Sequence, residues 1–415
     1  GQPSGGAADV AEVFSTYLYT GNSTARSINN GIDLSGEGGL VWIKDRNAGA
    51  WHKLSDTERG ANKLLFTNEA DGTSTVANTT TGFNSNGFSL GVGGAGNANH
   101  VNNTGTNYAS FTFRKKSGFF DCVTWTGNGV AGRTIAHSLG CDIGMLIIKR
   151  TNASHDWTVY HKGLGNDIKF LELNTTSAEA IGDGALTSTT FKVNDDGWGY
   201  DTNVSGGTYV AYVFADNSSE DSEEQMIKCG SYTGNGSANG PVVNLGWQPQ
   251  WLLIKNATNA EHWYIFDTMR GIAAGGGGYT GNSVSGVEYL LANSSAQADE
   301  PSNFVDLNAT GFQIKQSPAD VNGNGKEPAL RSGFPVDFTI YKSTSHTNGA
   351  SRLTGGGYFR LNTTNPEAYD QPALDYNNGY YPDTATNTTT GFMWKRAKGY
   401  MDVVAFNGTG VAGRT

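Results

Sequence analysis

Gly118–Thr134 reads GFFDCVTWTGNGVAGRT and Gly399–Thr415 reads GYMDVVAFNGTGVAGRT, with ten of the seventeen positions identical. A long segment that returns nearly intact marks a chain built from repeats. Working outward, four phrases recur in a fixed order. A turn phrase appears as YTGN at Tyr19–Asn22, WTGNG at Trp125–Gly129, YTGNG at Tyr232–Gly236 and FNGTG at Phe406–Gly410. An apolar run closed by lysine follows: LVWIK to Lys44, MLIIK to Lys149, WLLIK to Lys255 and FTIYK to Lys342. Next comes an aromatic phrase, WHKL from Trp51, WTVYH from Trp157 and WYIF from Trp263. YASFTFRKK at Tyr108–Lys116 and YVAYVFA at Tyr209–Ala215 close the unit, with TTTGFMWKR at Thr388–Arg396 as a further equivalent.

The anchor lysines lie 105 residues apart (44 to 149), then 106 (149 to 255), then 87 (255 to 342). The period divides the chain into 1–116, 117–222, 223–333 and an abbreviated 334–398, with a further unit opening at 399–415. Such a period exceeds any solenoid repeat and matches a whole β-sandwich. WTVYH and YVAYVFA alternate as half-buried strands do, whereas MLIIK and WLLIK are continuous apolar runs suited to strands covered on both faces. Gly-Asn, Asn-Gly and Gly-Gly pairs separate them, and helical periodicity is nearly absent. The expected fold is all-β: tandem, jelly-roll-like sandwiches, each with its own core, strung like beads. The half-unit at the end implies that more chain follows or that something else completes it. Tyr400, Met401, Val403, Val404 and Phe406 are therefore expected to form an assembly strand on an open sheet edge.

Composition narrows the function. Charged residues make up 16%, the net charge is −10, and no Lys/Arg cluster of the kind that neutralises phosphates is present, so nucleic acid is not an expected partner. No apolar run approaches a membrane span. The acidic run Glu220–Glu224 reads as a solvated linker. Cys122, Cys141 and Cys229 lack disulfide-framework or zinc spacing, and Cys122 and Cys229 hold equivalent places, which suggests packing.

No pattern of catalytic residues stands out. DTERG from Asp56 and DTMRG from Asp267 each begin twelve residues after an anchor lysine; an Asp–Arg pair fixing a loop is the expected role, with anion or sugar binding the alternative. DVNGNGKE at Asp320–Glu327 resembles the opening of a calcium loop, but position twelve is Arg331 where a bidentate Glu belongs. His52, His161 and His262 sit in separate units and read as sheet residues. Asp195 and Asp196 adjoin on one strand and would face opposite ways, which does not suit a glycosidase pair. No nucleophile elbow, phosphate loop or cofactor motif occurs. The chain is expected to be non-enzymatic and to need no metal or cofactor.

Asn-X-Ser/Thr sites are frequent: Asn22, Asn78, Asn102, Asn152, Asn174, Asn203, Asn217, Asn235, Asn256, Asn293, Asn308, Asn362, Asn387 and Asn407. These are glycan-acceptor candidates if the protein is made where N-glycosylation occurs, and otherwise turn chemistry.

The phrases YTGNG, GVAGRTIAHSLG, MLIIKR, DWTVYHKGLG, KFLELNTT and GGTYVAYVFA together resemble a tandem repeat domain of unknown function. It is found in large tail-fibre and other virion proteins of aquatic tailed phages. The likeness covers essentially the whole chain, is strongest in 117–217 and weakest in 334–396. It implies a virion or extracellular fibre role, self-association, and no catalytic residues. A carbohydrate-binding adhesin for cell-surface glycans is the alternative, with Trp198, Tyr200, Tyr376, Tyr380 and Tyr381 as stacking platforms; a capsid or tail decoration protein is a third.

Overall fold

The computed structural model describes residues 10–93, 100–165, 169–195, 201–216, 225–237 and 239–272, and shorter stretches from there to 394. The strands are antiparallel throughout, and the few helices are single turns such as Val10–Val13 and Leu34–Glu37. The all-β expectation holds. No described helix is long and apolar enough to cross a membrane.

Three large sheets share one strand order. In the first, the opening strand Phe14–Thr20 lies beside the closing strand Asn107–Arg114, then the lysine strand Gly39–Asp45, then Lys53–Asp56. In the second the order is Phe120–Thr126, Thr208–Ala215, Ile143–Arg150, Thr158–His161, extended by Lys169–Glu172 and Ala180–Ile181. The third runs Lys228–Thr233, Lys326–Ser332, Trp251–Lys255, Trp263–Asp267, Val287–Leu291, Asp299–Ser302. A fourth sheet repeats the series without an opening strand among the described residues: Thr389–Trp394, Phe338–Ser343, Gly349–Leu353, Gly357–Arg360, Ala368–Tyr369.

The lysine strand is buried along its whole length in the first and third sheets, as continuous apolar runs require. Its alternate residues serve two different cores. Val41 and Ile43 pack with Ile28, Phe88 and Leu90 of a small three-stranded sheet, Arg26–Asn29, Gly87–Leu90 and Thr80–Asn84. Leu252 and Ile254 pack in the same way on Phe304, Leu307 and Phe312. Leu40, Trp42, Trp251 and Leu253 face the other way, into a single cluster that also holds Phe111, Phe113, Phe120, Met145, Ile147 and Phe214.

The expectation of separate cores is therefore corrected. Period-two alternation shows that a strand has two buried faces but not what covers the second, and here the cover is the neighbouring large sheets. Trp251 of the third sheet meets Phe14, Phe111 and Phe113 of the first at ring-centroid distances of 6.2, 5.9 and 5.7 Å, and Phe113 meets Phe214 of the second at 5.4 Å. Contacts of this kind add tilted and edge-to-face aromatic attraction to area burial.

Candidate functional site

The polar groups that sequence reading singled out divide between two tasks: holding turns inside each unit, and joining one unit to the next. The turn phrase shows the first. Tyr19 Oη, Trp125 Nε1 and Tyr232 Oη donate to the carbonyls of Val101, Thr202 and Val321 at 2.8, 3.1 and 2.6 Å. The residue after each carbonyl is a buried asparagine, Asn102, Asn203 or Asn322. Its Oδ1 accepts the backbone N–H of Asn22, Asn128 or Asn235 at 3.2, 3.3 and 3.0 Å. The glycine of the phrase permits this approach, since a Cβ on Gly21 or Gly127 would lie 2.1 Å from the Asn103 or Val204 carbonyl oxygen.

That clamp reassigns the calcium-like stretch. Asn322 would be its third position, yet its side chain is committed to Asn235 N and to the Ser237 carbonyl. No group of three or more His, Cys, Asp or Glu suited to a metal occurs among the described residues.

The sequons are corrected in part on the same ground. Asn102, Asn203 and Asn256 are fully buried. Asn102 Nδ2 donates to Thr24 O and Gly91 O, and Asn203 Nδ2 to Asn128 Oδ1 and Val130 O, so no acceptor nitrogen is free for a glycan. In Asn22, Asn235, Asn256 and Asn308 the Oδ1 accepts the N–H two residues on, from Thr24, Ser237, Thr258 and Thr310. That is the Asx turn, which places Ser or Thr after Asn for reasons unrelated to glycans. Asn174 and Asn293 accept from the backbone N–H of Trp157 and Trp263, and Asn152 bridges Thr208 N and Gly206 O. Asn78 is exposed with φ of 64°. Asn217, Asn362, Asn387 and Asn407 lie outside the described residues, as do Tyr400, Met401, Val403, Val404 and Phe406 of the expected assembly strand. Trp198, Tyr200, Tyr376, Tyr380, Tyr381, Asp196 and Glu220–Glu224 lie outside them too.

Between units, one set of bonds is made three times. Trp157 Nε1 in the second unit donates to Phe66 O of the first at 3.0 Å, and Trp263 Nε1 in the third donates to Glu172 O of the second at 2.9 Å. The first unit completes the series through a relay. Trp42 Nε1 donates to His52 Nδ1 at 2.9 Å, and His52 Nε2 stands 2.9 Å from Leu291 O of the third. His52, not Trp51, is therefore the counterpart of Trp157 and Trp263, a one-residue correction to the aromatic phrase. Burial holds the His52 imidazole well below its usual range, so it stays neutral with Nε2–H as the donor.

The anchor lysines follow the same circuit. Lys149 Nζ donates to Ala70 O at 2.7 Å, Lys255 Nζ to Thr176 O at 3.3 Å, and Lys44 Nζ to Ser295 O at 3.3 Å. Backbone bonds run beside them, from Thr73 N to Thr151 O, Glu179 N to Ala257 O and Ala298 N to Arg46 O. The first–third contact alone has no adjoining chain connection, and it carries a bidentate pair, Arg46 Nε and Nη2 on Glu288 at 2.7 and 2.5 Å. Burial pulls the three anchor ammoniums down from 10.5 to about 8.

The two Asp–Arg phrases form the expected loop-fixing pairs. Arg59 Nε meets Asp56 Oδ2 at 2.6 Å and Arg270 Nε meets Asp267 Oδ2 at 2.5 Å, each with the Arg backbone N–H on the other carboxylate oxygen. Both also cross a boundary between units. Tyr212 Oη donates to Asp56 Oδ2 at 2.8 Å, and the Arg270 guanidinium sits 5.7 Å from the Phe111 ring. Cys122 and Cys229 are buried in the shared cluster, as packing predicts.

Among the described residues, the buried charge of Lys53 stays outside these networks. Lys53 is 1% exposed and its Nζ has no hydrogen-bond partner; burial, then the nearby Lys44 charge, lowers it to about 7. It pairs across strands with Ile43 and so faces the first unit's own core, where the third unit places Tyr264 opposite Ile254. An unpartnered ammonium there costs more than an apolar side chain of similar length. Lys53→Met should therefore raise the unfolding free energy by about 1–3 kcal/mol in urea titration at pH 7; a loss would show that the ammonium is satisfied.

No curated protein and no solved structure matches the chain. One family does, over residues 9–328, a span that takes in all three units joined by these contacts and stops inside the third closing strand. The chain belongs to the DUF7483 family, a domain of unknown function.

Proposed function

We propose that the protein is a non-enzymatic structural component, a segment or protomer of an extracellular or virion fibre of tail-fibre type. In this reading it is built from tandem β-sandwich units, three of which lock into one stiff body. The observation that carries the proposal is the use made of the ionisable groups. Asp56, Asp267, Arg270, Lys44, Lys149 and Lys255 are buried, the Arg59 side chain is only 7% exposed, and all are bonded to loops or to neighbouring units, an arrangement that resists deformation and leaves them unavailable to a substrate. A catalytic centre instead keeps perturbed groups convergent and reachable. Asn/Gly turns secured by Asx bonds and buried asparagine clamps suit a hydrophilic, protease-resistant exterior. Stiffness in such a design comes from cross-unit packing, not from short connectors alone.

Electron microscopy of the particles that carry the protein, labelled with an antibody to residues 10–216, tests the reading. Label along an elongated appendage or fibre is expected. Label confined to a soluble fraction, or to a compact body with turnover of a glycan or peptide substrate, would overturn it.

A further inference from the structure

The first unit departs from the other two at one spot, on the flank it turns to the third. Where the second and third units offer an indole N–H, from Trp157 and Trp263, the first offers the His52 imidazole. One residue on, Lys53 stands opposite Ile43, where the other units carry Thr158 opposite Ile148 and Tyr264 opposite Ile254. An indole does not titrate near neutral pH, and an imidazole does. The titratable donor thus falls at the boundary between first and third units, which no chain connection spans.

His52 can serve that boundary only as a neutral ring. Its Nδ1 accepts the Trp42 indole N–H at 2.9 Å, while Nε2–H points at the Leu291 carbonyl, also at 2.9 Å. A second proton goes to Nδ1 and sets two N–H groups facing each other across a one-bond distance. The charges around the ring oppose that proton. Lys53 lies beside it on its own strand, Lys44 on the lysine strand, and Arg270 approaches from the third unit's turn Thr268–Arg270. Among nearby carboxylates, Asp45 is taken up by the Asn47 and Ala48 backbone N–H groups and Glu288 by Arg46. Glu69 is taken up by Asn68, whose Oδ1 accepts the His52 backbone N–H. Beyond Lys53 stands His100, itself lowered by burial and by the Lys53 charge. Leu291 leads directly into the rest of the joint: Ala292 O accepts Thr67 Oγ1 at 2.5 Å, Ser295 O accepts Lys44 Nζ at 3.3 Å, and Ala298 N–H donates to Arg46 O at 3.1 Å.

We propose that the joint between the first and third units is an acid-responsive seam, in which a proton on His52 releases residues 291–298 of the third unit while the other two joints hold. The closed seam disfavours the proton, and opening returns the imidazole to its usual range near 6.5. Each pH unit below that value therefore favours the open seam about tenfold. Lys44 and Lys53 are charged in both states below pH 6 and add no slope there. Trp251 stays packed on Phe14, Phe111 and Phe113, so the opening is local and stops short of unfolding. The seam goes beyond the fibre reading and does not depend on it.

Hydrogen exchange read by mass spectrometry on the 415-residue chain, at pH 7.5 and pH 5 and corrected for the intrinsic pH dependence of exchange, tests it. Protection of the peptide that holds the Ala298 N–H should fall about thirtyfold, from tenfold per pH unit between 6.5 and 5. The Thr73 and Glu179 N–H groups make the corresponding bonds at the other two joints, to Thr151 O and Ala257 O, and should keep their protection. His52→Gln retains an acceptor for Trp42 and a donor for Leu291 without titrating, and should hold Ala298 equally protected at both pH values. Unchanged protection at Ala298 in the parent would overturn the proposal, and so would an equal loss at all three joints, the mark of global unfolding. A loss in His52→Gln as large as in the parent would also overturn it. If the glutamine variant does not fold, the comparison of the three amides in the parent decides alone.

Discussion

Asp56→Ala should lower the free energy of unfolding by about 3–5 kcal/mol, among the largest effects of any single substitution in the chain. The carboxylate has no exposure and takes the Arg59 backbone N–H at 2.8 Å, the Arg59 Nε at 2.6 Å and the Tyr212 hydroxyl at 2.8 Å. Removing it leaves a guanidinium in the interior with only neutral partners, the carbonyls of Leu54 and Lys63 and the hydroxyls of Thr73 and Tyr212. Burial opposes the Arg59 charge, and Asp56 with Tyr212 more than offsets it, holding the guanidinium above its usual range. The loss should be global, because Tyr212 belongs to the second sheet and sits in the cluster common to all three. Guanidinium titration followed by tryptophan fluorescence should show one transition at lower midpoint, not a first unit melting alone. Asp56→Ala/Arg59→Met should recover much of the loss, since the orphaned charge disappears with its partner. A double variant as weak as the single one would show that the carboxylate acts through the loop and not through the ion pair.

The elements of each unit were legible in the sequence because their causes are local. Continuous apolar runs ending in lysine became central strands, and YASFTFRKK and YVAYVFA became closing strands between the opening and lysine strands. DTERG and DTMRG became Asp–Arg pairs because a three-residue spacing across a tight turn brings the two groups together. What escaped reading depends on geometry that letters do not carry. Residue type pairs Trp51 with Trp157, while the function at that place is an N–H aimed at a neighbour's carbonyl, which His52 supplies with Trp42 behind it. Asn102 and Asn203 read as glycan acceptors and Asn322 as part of a calcium-like loop, since nothing in the neighbouring letters shows which asparagine turns inward to clamp a turn some 75–87 residues away. The period of 105 residues suggested separate cores; the shared cluster appears only once three sheets are placed together.

Stability should rise, not fall, as the pH is taken from 8 to about 10. Lys44, Lys149 and Lys255 have native values near 8 and Lys53 near 7, because burial disfavours the ammonium, whereas the unfolded chain holds these protons to 10.5. Between those limits the unfolded state binds more protons than the native one, so the free energy of unfolding grows with pH, by up to on the order of 3 kcal/mol per lysine. The neutral amines keep donating to the Ser295, Ala70 and Thr176 carbonyls, so deprotonation removes the burial penalty without breaking the joints between units. Opposite linkages close the window from above. Burial raises the Cys122 thiol, Tyr19 and Tyr212 well beyond their usual values and pushes Tyr108 up to about 12; the native state then retains protons that the unfolded chain releases above pH 9 to 10. From below, neutral His52 destabilises the fold as the pH drops through 6.5, where the unfolded imidazole takes up a proton. The maximum should therefore lie near pH 9–10, well on the alkaline side of the sequence isoelectric point of about 5.2. Urea titrations at unit steps from pH 6 to 11 measure the curve, and Lys44→Met/Lys149→Met/Lys255→Met should flatten its rising limb. A parent curve that is level or falls between pH 8 and 10 would mean that the anchor ammoniums keep ordinary values, held charged by the carbonyls around them.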